Sequence, residues 1–137
     1  LNHLVADMLK ASDKIHVLRD PTRGGLATIL NEIARSSKVG IEIFEGKIPV
    51  REEVRGACEM LGYDPLYVAN EGKLIAFVAP KEAPQVLKAM RKNKYGRNAK
   101  IIGQVIKKPE ETVLLRTQIG GSRILDMLTG EQLPRIC

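Results

Sequence analysis

Asp20-Pro21-Thr22-Arg23-Gly24-Gly25-Leu26-Ala27 is the stretch on which the reading of this 137-residue chain turns. It follows a short apolar run, Ile15 to Leu18, and precedes a stripe at Leu26, Ile29, Leu30, Ile33 and Ala34 with helical spacing. The octet therefore joins a strand to a helix. Two physical accounts of it stand side by side. In one, Asp20 caps the helix and Pro21 takes the first helical position. That leaves Gly24 and Gly25 unexplained, since each costs about 1 kcal/mol relative to Ala within a helix. In the other, the two glycines let a ligand approach the backbone. Free N–H groups at the helix start then favour an anion such as phosphate, and Arg23 adds a bidentate donor. The lysine motif of a P-loop is missing.

Upstream, Leu1, Leu4, Val5, Met8 and Leu9 form another helical stripe with no capping residue before it. The expectation is a chain excised or processed from a longer one, with an N-terminal part elsewhere. Downstream, Ile41 to Phe44 alternates apolar with acidic residues and predicts a half-buried strand. Val50, Val54, Ala57, Cys58 and Leu61 predict a helix closed by Gly62. Leu74 to Ala79 is a continuous apolar run and predicts a central strand. Ala83, Val86, Leu87 and Met90 stripe a further helix. Ile101 to Ile106 and Thr112 to Arg116 read as strands, Gly120-Gly121 as a turn, and Ser122 to Leu125 as a short edge strand. The fold class expected is α+β, helices packed on a mixed β-sheet. Residues 1–126 form one α/β domain in this reading, and 127–137 a flexible tail.

Bulk properties narrow the function classes. The chain is 44% hydrophobic and 28% charged, as soluble globular domains are. No apolar run approaches the roughly 20 residues of a membrane span, and no secretory signal pattern is present. Two cysteines make no disulfide framework, so a reducing compartment is expected. His3 and His16 have no metal-ligand spacing to one another or to the cysteines. The net charge of +6 raises nucleic acid as a partner, but with no Trp, two Phe and three Tyr the aromatic platforms are scarce. The densest basic run is Lys88, Arg91, Lys92, Lys94, Arg97 and Lys100, with no acid between. It reads as a solvated face near a helix end, where cations suit the dipole.

Three further features carry possible chemistry. Asn70-Glu71-Gly72-Lys73 precedes an apolar strand. It is either a plain turn, with Asn and Gly supplying unusual backbone angles, or a tight turn that holds the Glu71 carboxylate at a strand end as a general base. Cys58 lies on the apolar stripe of its helix and reads as a buried small hydrophobe. Cys137 is the terminal residue, after Leu133-Pro134-Arg135-Ile136, and is expected to reach more than one site. With an ordinary thiol pKa only a few per cent is thiolate at neutral pH, so a partner enzyme must activate it or bring a reactive electrophile. Prenylation of the usual kind needs three residues after the cysteine.

These segments together, with Gly120-Gly121, Arg123 and Asp126, resemble the C-terminal domain of the HypE family of hydrogenase maturation factors. The first motif is shared with a wider superfamily of ATP-using enzymes that includes aminoimidazole ribonucleotide synthetase and selenophosphate synthetase. The Pro134-Arg135-Ile136-Cys137 ending is particular to HypE. The resemblance implies an ATP-dependent carbamoyl dehydratase of the cytoplasm that supplies cyanide ligands for the iron of nickel–iron hydrogenase. It implies Cys137 as carrier of the carbamoyl group and Glu71 as base. Asp20, Thr22, Arg23, Gly24, Gly25 and Asn70 would face the nucleotide. ATP and Mg2+ would be held mainly by an N-terminal domain absent from this chain. The implied partners are the carbamoyltransferase HypF, the HypC–HypD complex and a second copy of the full-length protein, with this chain alone monomeric and catalytically silent. The alternatives are another superfamily member such as selenophosphate synthetase, a basic nucleic-acid module, and a docking domain in which Cys137 plays no part.

Overall fold

A computed structural model describes residues 1–127. The Cys137 thiol and the rest of the terminal motif lie outside the described residues. In chain order the elements are α1 (Asn2–Ala11), β1 (Ile15–Arg19), α2 (Gly25–Ser37), β2 (Gly40–Phe44), a 3-10 turn (Glu45–Lys47), α3 (Glu52–Leu61), β3 (Ile75–Val78), α4 (Ala83–Lys92), β4 (Gly103–Ile106), β5 (Val113–Arg116) and β6 (Ser122–Ile124). They form two compact units. The first is Leu1–Asp20 with Glu71–Ile101. The second is Pro21–Asn70 with the segment that begins at Ile102.

The second unit is built on a four-stranded mixed sheet in the order β4-β2-β5-β6. Strand β2 runs antiparallel to β4 and parallel to β5, with Ile41 opposite Val113 and Ile43 opposite Leu115. Those four side chains are at most 2% exposed. Helix α2 packs on β2 and β5 and buries Ala27, Ile29, Leu30, Ile33 and Ala34, each large apolar side chain contributing about 1.5–3 kcal/mol. Buried Asn31 interrupts that stripe. Its Nδ2 donates to Ala27 O at 2.9 Å and to Leu125 O at 2.7 Å, so it pins the chain just after β6 to the helix.

The alternation in Ile41-Glu42-Ile43 holds, but its solvent side is covered. Glu42 is only 8% exposed. Its carboxylate accepts from Arg116 Nε at 2.7 Å and from Gln104 Nε2 at 2.9 Å. The hydrogen bond from Arg116, then that from Gln104, holds its pKa below the ordinary 4.5, with burial opposing. The expected half-buried strand is thus a buried interior strand of the sheet.

The first unit is smaller. Strands β1 and β3 pair antiparallel as a two-stranded ribbon with an irregularity between Ile15 and Val17. Helices α1 and α4 pack together. Leu4, Met8 and Val86 are buried, with Ile15, Leu18, Leu74, Ala76, Val78 and Met90 against them. The Leu74–Ala79 run is therefore not a central strand. Among the described residues β3 has one strand neighbour, and all four of its residues stay half-buried.

Candidate functional site

Helix α2 does not begin where Asp20 and Pro21 would start it. It begins at Gly25, with Gly24 as its N-cap at φ 65° and no side chain capping it. Gly25 is also left-handed, at φ 62°. A Cβ on Gly25 would lie 2.6 Å from Leu66 O and 2.7 Å from Val68 O. A Cβ on Gly24 would collide with the Thr28 hydroxyl. That hydroxyl oxygen is buried and has no hydrogen-bond partner among the described residues. Both glycines are thus required by close packing as well as by dihedral angle. Thr22 and Pro21 are half-buried and buried, while Asp20 and Arg23 are exposed.

A strap of residues 64–70 lies against this helix start. Ala27 N donates to Leu66 O at 2.9 Å, and Asn70 N donates to Pro21 O at 3.0 Å. Asp64 anchors the strap by accepting from Leu66 N at 2.9 Å and pairing with Arg123 at 2.6 Å. The Tyr67 hydroxyl donates to Asp126 O at 3.0 Å. Burial pushes the Tyr67 pKa above the usual 10.0, against the pull of Arg123 and with help from Asp64 and Asp126.

The predicted site residues that the structure describes fall into two groups, one in each unit. Within the second unit, the Asn70–Pro21 hydrogen bond ties the two motif loops. Within the first unit, the pairing of Arg19 with Ile75 sets the end of β1 beside the start of β3. This puts Asp20 and the Glu71–Lys73 turn at one end of the ribbon. Glu71 is exposed, and Gly72 behind it is left-handed at φ 69°. Cys58 is 6% exposed and is the buried hydrophobe its stripe implied. The strap was not singled out from the sequence. Its readable signal is Asp64-Pro65, an acidic residue positioned to bond the backbone two residues on.

Chemically, the α2 start has no side-chain cap, Leu66 O already takes the Ala27 N–H, and the exposed Arg23 guanidinium can pair with a phosphate. In the first unit, Glu71 presents an exposed carboxylate on its own turn. No group of three or more His, Cys, Asp and Glu able to hold a metal ion occurs among the described residues. No helix among them is long and apolar enough to cross a membrane.

A family model described as "AIR synthase related protein, C-terminal domain" matches residues 2–116. The carbamoyl dehydratase HypE of Azotobacter vinelandii is 58% identical over 137 residues, covering 100% of this chain and 40% of its own length. A crystal structure of the hydrogenase maturation protein HypE in complex with ATP matches with a TM-score of 0.93 at 47% identity, covering 100% of this chain and 42% of that one. A HypE–HypF complex structure matches with a TM-score of 0.88 at 44% identity, over 93% and 41% of the two chains. The chain therefore spans about two fifths of the relatives it matches.

Proposed function

The chain belongs to the AIR synthase related protein, C-terminal domain, family, and from that premise we propose that it acts as the C-terminal part of a HypE-type carbamoyl dehydratase in hydrogenase maturation. The observation that carries this reading is the 58% identity along the whole chain to a protein of that name. The ATP complex and the HypF complex of HypE proteins support the cofactor and the first partner.

In the proposed cycle the Cys137 sulfur takes a carbamoyl group from the carbamoyltransferase HypF, forming a thiocarboxamide as the donor's leaving group departs. ATP supplies the phosphoryl group that makes the carboxamide oxygen a leaving group. Loss of that oxygen as phosphate and of both N–H protons leaves a nitrile on sulfur. Glu71 accepts a proton from the nitrogen, a role that its exposed position on the Gly72 turn permits. Gly24, Gly25, Thr22, Arg23, Asp20 and Asn70 line the nucleotide side, with Arg23 and the α2 N-terminus set against phosphate. Cyanide then passes to iron on the HypC–HypD complex; two electrons from the iron-bearing partner and one proton break the S–C bond and restore the thiol. Mg2+ would be held with ATP mainly by residues outside this chain and would neutralise phosphate charge there. The cytoplasmic setting, the full-length homodimer and a monomeric state for this chain alone belong to the same proposal.

Intact-mass spectrometry of the full-length protein with its carbamoyltransferase, carbamoyl phosphate and ATP tests this reading. The expected mass changes localise to Cys137, first as carbamoyl and then as cyano. Modification at Cys58 instead overturns the mechanism. This chain by itself should show no ATP-dependent dehydration once carbamoylated, because phosphoryl transfer depends on positioning and charge stabilisation that, in this proposal, come from the part of the relatives lying outside it.

A further inference from the structure

The first unit holds all of the net charge. Leu1–Asp20 and Glu71–Ile101 contain eleven of the 22 Lys and Arg and five of the 16 Asp and Glu. Their formal charge is +6, equal to that of the whole chain, and the rest of the sequence balances to zero. Six of the cations are Lys88, Arg91, Lys92, Lys94, Arg97 and Lys100. All are exposed, and none takes part in an ion pair among the described residues.

The α4 dipole accounts for Arg91 and Lys92 in the last turn. It does not account for Lys88 a turn earlier, nor for what lies between the cations. Lys88, Arg91 and Lys92 share one helix face by their three- and four-residue spacing. With Pro84, Leu87 and Ile101 they line a groove of about 410 Å³. Ile101 is left 47% exposed there. The wall behind the groove is built. Arg91 Nε donates to Ala99 O at 3.0 Å. Gly96 is buried, and a Cβ on it would collide with Met90 O. Successive backbone bonds, Asn93 N to Met90 O and Ala99 N to Gly96 O, fold segment 93–100 back on the helix end.

We propose that this face docks an acidic, amphipathic segment of a partner protein. Its apolar side chains seat on Pro84, Leu87 and Ile101, and its carboxylates meet Lys88 and Lys92. Charge complementarity selects the occupant: an apolar floor rimmed by unpaired cations suits alternating leucines and carboxylates. Single-stranded nucleic acid would need aromatic platforms among the cations. The aromatic residue within the run, Tyr95, already has Lys94 Nζ over its ring at 4.8 Å.

The test uses a fluorescent peptide, Glu-Glu-Leu-Glu-Glu-Leu-Glu-Glu, with amide NMR shifts and anisotropy as readouts. Shifts should cluster at residues 84–92 and 101. Affinity should fall about tenfold between about 50 and about 300 mM salt. Lys88→Glu with Lys92→Glu should weaken binding about tenfold or more, since each reversal turns an attraction into a repulsion. Lys107→Glu with Lys108→Glu, in the other unit, should leave binding within about twofold. A glutamate peptide without leucine should bind several-fold more weakly. Absence of binding, shifts elsewhere, indifference to the Lys88/Lys92 reversal, or tighter binding of an oligouridine each overturns the proposal.

Discussion

Gly25 and Gly72 sit in the two motif loops with nearly the same backbone, φ 62° and 69°, yet they answer to different forces. A Cβ on Gly25 would press on the carbonyls of Leu66 and Val68, whereas a Cβ on Gly72 would meet nothing within 4 Å. The first loop is shaped by packing and must be glycine on two counts. The second is shaped by turn chemistry alone and stays open, with Glu71 exposed beside it. Close packing covers the Gly25 backbone with the carbonyls of the strap. An open turn suits a carboxylate that must meet substrate.

The sharpest way to break this contrast is Glu71→Gln in the full-length protein. Dehydration should slow by about 10²–10⁴-fold, as for loss of a general base, while the melting temperature stays put. A large loss of stability with chemistry intact would reverse the roles of the loops. Gly25→Ala comes next. Left-handed strain of about 1–2 kcal/mol adds to displacement of the strap, for a total near 3 kcal/mol or more by urea unfolding. An effect no larger than that of Gly72→Ala would show that packing does not govern the first loop. Gly72→Ala itself should cost about 1 kcal/mol, the dihedral penalty alone.

The smallest effect concerns the sheet that carries α2. The folded-state pKa of Glu42 lies below 4.5, so the stability it contributes is complete above that value. It is lost as pH falls through the folded value. Glu42→Gln should therefore flatten the acid side of a pH series of thermal melts and leave its alkaline side unchanged. An unaltered acid slope would mean that the Arg116 contact contributes nothing.

The helices were the most legible part of the fold. The stripes at Leu4 and Met8, at Ile29 to Ala34 and at Val86 are local, and the structure buries them. Element starts were less so. Asp20-Pro21 reads as a cap and first turn, but the helix begins five residues after Asp20, because carbonyls some forty residues downstream close on Gly25. Strand rank was not legible either. Leu74–Ala79 has the stronger apolar signal, yet β2 lies in the interior of a four-stranded sheet and β3 in a two-stranded ribbon. Glu42 masks β2's burial, and its hydrogen-bonding partners, Gln104 and Arg116, are both more than sixty residues away.

Of the candidate site, the glycines, Arg23, Asn70 and Glu71 were visible as motifs, and together with Gly120-Gly121, Arg123, Asp126 and the ending Leu133-Pro134-Arg135-Ile136-Cys137 they carried the family resemblance. The strap that braces them was not, since only Asp64 marks it locally. Local spacing thus determined where helices and turns fall and which residues are candidates for chemistry, and composition determined how much charge the chain bears. Those are properties of neighbours along the chain. Pairing in three dimensions decided which strand is interior, why Gly25 admits no side chain, and that the excess charge gathers on one unit around an apolar groove. Each of these depends on residues that meet only after the chain has folded, and no window along the sequence contains both partners.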